Sequence, residues 1–360
     1  MSEKPEKSWS LSITRAREAL SRLGPLDWGD MAVAHIDTGI TPHPVLGDWV
    51  MPARGVNYME NGAPPIDPLA PDAFNAGHGT KTCSVLTGFL AGTFVGVAPK
   101  LPVIPYRVTN VVVLASDKVR TNIANAIRHA VDHNACSVIS ISLGYPQMGF
   151  FHNALGEALD HAYDHGVIVC AAGGQVVDRF CYPGKFFRAI GVGGFTGNPG
   201  RERIYQDYTF DLNAFADVWA PADPIWRAEA VRDLTTQENV YSYGFGDGTS
   251  YATPHVAAAA AMWLKLHGEE LLSLYKHEHW LRVEAFRLLL KRSARDIKAL
   301  PGLEATRPAL ADEVPPRKGD CLGQNIISGG LDIYALLGAP LPDRDELPAE
   351  PLPPAAKQWG

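Results

Sequence analysis

No stretch of this chain is long and apolar enough to cross a bilayer. The alanine-rich run at 256–264 comes nearest, and His255 and Lys265 close it off far too soon. The N-terminus, MSEKPEKSWSLSITRAREAL, has no apolar core of the kind a secretory signal carries. A basic stripe is missing as well. Lys and Arg number 32 against 39 Asp and Glu, a net charge of −7 that gives a nucleic acid nothing to hold. Cysteine is scarce. The five (Cys83, Cys136, Cys170, Cys181 and Cys321) fall at no metal-ligand spacing, and four sit in apolar surroundings, where small buried thiols are expected. The HEH at 277–279 reads as a solvated helix face, because a zinc site needs a further ligand at a plausible spacing. Neither a metal nor a cofactor is expected, nor a membrane or nucleic-acid partner; a reducing, cytoplasmic setting is.

What the chain does have is a sizeable apolar fraction, 46% of 360 residues, enough for a large core. Short apolar runs alternate with helical patterns. MAVAHI (31–36), PVIPYRV (102–108), SVISIS (137–142), VIVCAA (167–172) and AIGVGG (189–194) read as strands. Residues 119–134 carry Ile123, Ile127, Ala130 and Val131 at helical spacing, and Leu155, Ala158, Leu159 and Ala162 mark a second helix. Apolar strands separated by amphipathic helices indicate an α/β fold with a mostly parallel sheet covered on both faces. Right-handed crossovers then bring the strand C-terminal ends to one edge, where such proteins build their sites.

Three residue types gather at that edge. Asp37 follows the first strand. His78 sits in NAGHGTKTCSVLTG, where a Gly-His-Gly turn leads into a helix. Ser250 opens the helix of GFGDGTSYATPHVAAAAAMW (244–263). Each has an ordinary explanation on its own, as a turn aspartate, a helix-start histidine or a capping serine. Together they are the three side chains a hydrolase triad needs, in the order Asp, His, Ser.

The wording around them resembles the subtilisin-like serine proteases, over residues 31 to about 337. HIDTGITPHPVL, GHGTKTCSVLTG and GTSYATPHVAAAAA look like that family's aspartate, histidine and serine segments. GVAPKLPVIPYRV (96–108), ISISLG (139–144), CYPGKFFRAIGVGG (181–194), DVWAPAD (217–223) and SGGLDIYALL (328–337) fall where the family keeps similar phrases. The resemblance implies a three-layer fold around a twisted, mostly parallel sheet. It makes Ser250 the nucleophile, His78 its base and then the acid for the leaving amine, and Asp37 the group that orients the imidazole. Ser142, Leu143 and Gly144 would pair with an extended substrate backbone, and Ala171, Ala172 and Gly173 would form the facing wall of the specificity pocket. Cys181 would form the base of that pocket and make it shallow, favouring small or medium apolar residues. The Tyr182–Pro183 bond would be cis.

Three departures from the family matter. Gly174 stands where an asparagine normally donates to the oxyanion, which leaves Gln175 and Thr249 as candidate donors and predicts that Gly174→Asn raises turnover. Lys81 replaces a common second histidine. A secretory signal and a folding prodomain do not fit in the residues before Asp37, which points to an intracellular enzyme. The expected organisation is an N-terminal extension (1–28), a peptidase domain (29–338) and a flexible Pro-rich tail (339–360) ending near Trp359. The expected function is a serine endopeptidase that processes particular intracellular proteins, with a protein or peptide substrate and a weakened oxyanion hole. The alternative is a peptide-binding regulatory module on the same fold that needs a protein partner for activity.

Overall fold

The computed structural model describes residues 6–24, 27–71, 73–114, 116–146, 153–175, 180–197, 216–295 and 329–358. Its strands are β1 (Val33–Asp37), β2 (Val56–Asn57), β3 (Phe89–Leu90), β4 (Phe94–Val95), β5 (Val103–Arg107), β6 (Val138–Ile141), β7 (Ile168–Ala172), β8 (Ile190–Thr196), β9 (Val218–Asp223), β10 (Ile225–Arg232) and β11 (Asn239–Gly246). Its α-helices are α1 (Trp9–Ile13), α2 (Ala16–Leu23), α3 (His78–Thr87), α4 (Asp117–Asp132), α5 (Asn153–Asp164), α6 (Thr249–Tyr275), α7 (Leu281–Ser293) and α8 (Ile333–Gly338). Seven strands form one sheet in the order β2-β5-β1-β6-β7-β8-β9, and every pairing in it is parallel. The strands expected from the sequence all lie in it, within about two residues of their expected ends.

Alternate residues of each central strand enter different cores, as the two-residue period of a strand requires. Val33, Val138, Ile168 and Cys170 face α3, α6, α7 and α8. Ala34, Ile36, Ile139, Ile141, Val169 and Ala171 face α4 and α5. Two helical layers thus enclose the sheet, and the strands are apolar on both sides because neither side meets water. Helix α4 starts where Ser116 Oγ accepts a bond from the Val119 amide, 3.3 Å away.

Helix α6 runs for 27 residues across β6 to β9, and its alanines let it lie close to the sheet. Pro254 falls inside its second turn. Proline has no N–H, so the Ser250 carbonyl loses its partner four residues on. The Ser142 hydroxyl takes that place, donating to Ser250 O at 2.8 Å. The sequence thereby ties the start of α6 to the end of β6.

Two parts of the sequence reading need correction. The segment from Pro340 to Gln358 does not hang free: Leu347, Leu352 and Ala355 are buried. The Ala355 and Ala356 amides donate to Asp160 at 2.7 and 3.1 Å, Arg188 Nε donates to Leu352 O at 2.9 Å, and the Gln358 side chain bonds Lys185 O and the Phe187 amide. Proline enrichment misleads here because proline also lowers the entropy cost of ordering a segment and removes N–H groups that would need partners. His277 and His279 lie on the turn between α6 and α7, not on a helix face, with Glu278 paired to Arg344. The Pro-free hairpin β10–β11 was not foreseen at all. Cys321, Ser328 and Trp359 lie outside the described residues, and no helix among the described residues is long and apolar enough to cross a membrane.

Candidate active site

Strand order reverses at β1, with β5 on one side and β6 on the other, and this is where doubly wound sheets open a crevice. Register puts the candidate residues at one level. Ile36 pairs with Ile141, and Ile141 with Ala171, so Asp37, Ser142 and Ala172 each come one residue later at adjacent strand ends. Helix α3 brings His78 against them. That approach depends on Gly79, where a Cβ would stand 2.1 Å from the Gly39 carbonyl oxygen. Asp67 reinforces it by accepting from the Thr38 hydroxyl at 2.6 Å and from the Gly77 amide at 2.9 Å.

His78 Nδ1 lies 2.8 Å from Asp37 Oδ1, which also accepts the Thr38 amide at 2.7 Å. The Thr82 hydroxyl donates to Asp37 Oδ2 at 3.2 Å. Burial alone would raise the Asp37 pKa, but His78, His35 and the Thr38 amide together outweigh it, and the carboxyl stays below its ordinary value. Asp37 is therefore ionised at neutral pH. A carboxylate accepts only, so the Nδ1 facing it carries the proton and Nε2 is left as the basic nitrogen.

Ser250 is in the first turn of α6, its side chain half-buried. Among the described residues, the partner of its hydroxyl is the Ser142 carbonyl at 3.0 Å, while Ser142 donates back to Ser250 O. The three candidate donors beside it are arranged unequally. The Thr249 hydroxyl accepts from the Gly174 amide at 3.0 Å and donates to Gln175 Oε1 at 2.8 Å, so it is engaged on both sides. The Gly174 amide is engaged by the same contact. Gln175 Oε1 accepts the Thr249 amide too, at 3.2 Å, and since that N–H can only donate, the oxygen of the side-chain amide must face the helix. Gln175 Nε2 is left as the remaining side-chain donor, on the wall of the cleft.

That cleft is partly open to solvent. Ser142, Leu143, Gly144, Ala172, Gly174, Gln175, Cys181, Thr249 and Ser250 line it, together with Val112, Val113 and Pro146. Gly173 does not. It lies behind the wall, bonded to Val192 O and Cys181 N, with the Phe180 ring where a side chain would go. The Cys181 thiol is buried beside the Gly174 Cα, and burial pushes its pKa up to about 11. The Tyr182–Pro183 bond is cis, and so is Asp223–Pro224.

The subtilase family model matches residues 29–314. Subtilisin Savinase of Lederbergia lenta is 30% identical over 256 residues, which cover 71% of this chain and 82% of that one. This chain belongs to the subtilase family. Thermitase of Thermoactinomyces vulgaris is 28% identical over 235 residues, 64% of the subtilase and 73% of thermitase. The subtilase is a serine protease of the subtilisin-like type. Its fold is shared by a solved protease of Pseudoalteromonas arctica, with a TM-score of 0.64 and 20% identity over 91% of this chain and 93% of that one. Fervidolysin of Fervidobacterium pennivorans aligns with a TM-score of 0.63 and 20% identity, over 93% of the subtilase and 46% of fervidolysin. Val112, Val113 and Pro146 were missed in the sequence. The run Val111–Val113 was a signal, since three consecutive valines outside any strand need a reason to be apolar.

Proposed function

We propose that this subtilase is an endopeptidase in which Ser250 attacks the peptide carbonyl, His78 takes and returns the proton, and Asp37 orients the imidazole. The 2.8 Å contact between His78 Nδ1 and Asp37 Oδ1 carries this reading, because it leaves Nε2 basic on a ring whose centroid lies 6.4 Å from that of Tyr251, the neighbour of Ser250. Two donors would meet the oxyanion, the Ser250 amide in the first turn of α6 and Gln175 Nε2. Gln175 is held at its oxygen by Thr249, so its amide is better ordered than a free side chain of that length. The hole is still weaker than one built on the asparagine usual in the family. Apolar walls at Val112, Val113 and Leu143 and the thiol at the base favour a small or medium apolar residue before the cleaved bond. Cys83, Cys136 and Cys170 are free thiols and buried, which suits a reducing cytoplasm and a role in processing particular proteins there.

One observation favours a second reading, in which the protein rests until a partner binds. The Ser250 hydroxyl is held by Ser142 O and must rotate away from it to meet His78. A fluorophosphonate probe separates the two. The leading reading predicts fast labelling of Ser250 in the isolated protein; labelling only after a partner is added would favour the second.

A further inference from the structure

We infer that His35 is a positioning residue for the reaction, holding Asp37 through the hydroxyl of Thr82. This rests on the triad reading above. His35 and Asp37 are two residues apart on β1 and so share a face of the sheet. His35 is wholly buried. Its Nε2 lies 3.0 Å from Thr82 Oγ1, 3.2 Å from Gly79 O and 3.9 Å from Asp37 Oδ2. A carbonyl and a carboxylate only accept, so Nε2 carries the hydrogen. His35 Nδ1 is then a bare acceptor, buried with no partner. An apolar residue would avoid that loss, so the imidazole needs a reason to be there.

The reason is on its other edge. Among the described residues, Asp37 Oδ1 receives two donors, from His78 and Thr38, whereas Oδ2 receives only the Thr82 hydroxyl. Thr82 has one hydrogen to give and three oxygens within reach: Asp37 Oδ2, His78 O at 3.1 Å and Gly79 O at 3.2 Å. The His35 N–H takes up Gly79 O and approaches the Thr82 lone pairs, which turns the threonine hydrogen to the carboxylate, the acceptor that carries charge. Burial lowers the His35 pKa more than Asp37 raises it, so the imidazole stays neutral and keeps this role at neutral pH. The other titratable groups near Asp37 are His78, Lys81 and Cys83 on α3 and Tyr251 on α6.

Donor hydrogens around Asp37 share its negative charge. With one removed, more of that charge acts across the Asp37–His78 contact, and the pH range of activity moves upward. The test is the acid limb of the kcat/KM–pH profile, measured on the full chain with active sites titrated by a fluorophosphonate. His35→Leu and Thr82→Val should each move that limb up by about half a pH unit, a fraction of one hydrogen bond to a carboxylate because the change reaches His78 only through Asp37. The double variant should shift no further, and Thr82→Ser should keep the limb in place. A limb unmoved in Thr82→Val, which changes shape least, overturns the inference even if His35→Leu fails to fold. Activity that survives Asp37→Asn in the wild-type background would instead sink the triad reading, and the inference with it.

Discussion

At the scale of single residues, the cleft explains why this subtilase has glycine where an oxyanion donor is expected. Gly174 has φ +89°, and a Cβ there would meet Cys181 Sγ at 2.5 Å. Positive φ strains any side chain, and the thiol beneath blocks it. Installing asparagine at 174 therefore should not raise turnover, contrary to the sequence expectation; Gly174→Asn should lower kcat and stability together. Gln175→Ala should cost about 10²-fold in kcat with a smaller change in KM, because the lost donor acts on the transition state. A loss under about threefold would exclude Gln175 from the oxyanion hole. Asp37, His78 and Ser250 could be proposed from the sequence because each sits in a local phrase that resembles one of the family's. The proposed part of Gln175 was not legible there, because it depends on which edge of an amide faces α6, and on a thiol six residues away in sequence.

Helix α6 shows what holds at the scale of an element. His255, one turn beyond Ser250, is fully buried, with Nδ1 2.8 Å from Tyr251 O and Nε2 unpartnered. Burial takes its pKa down to about 4. The unfolded chain binds this proton near pH 6.5 and the folded one does not, so stability is full above that range and declines as pH falls toward 4. From His255 alone the loss between pH 7 and pH 5 should be about 2 kcal/mol, read from urea melts at the two values. His255→Phe should flatten the difference if it folds; an equal pH dependence in that variant would contradict the assignment. The apolar alanine run revealed α6 as buried, and the strand runs revealed the parallel sheet. Hairpin β10–β11 escaped because Arg227 and Glu229 break up its apolar pattern, and only the fold shows that they pair and that Arg227 lies over the Tyr251 ring.

For the whole molecule, the first and last described segments are part of the fold. Helix α2 packs against α8, and the segment after α8 runs back over α5 to reach Lys185 and Phe187, just beyond the base of the cleft. Leu352→Ala should destabilise the protein by about 2–3 kcal/mol, seen as a lower urea midpoint at unchanged slope; a loose tail would give no change. Composition could not show this, since spaced leucines among prolines have no periodicity to read. The proposed triad would also be a property of the whole fold, because β1, α3 and α6 would each supply one member. The central claim is that these three act as one unit, and it is tested by kcat of Ser250→Ala, His78→Ala and Asp37→Ala, alone and combined, on a peptide substrate. Each single change should cost about 10⁴-fold or more, and the triple variant should be little worse than Ser250→Ala alone. Hydrolysis retained in Ser250→Ala, or losses that simply add, would contradict it.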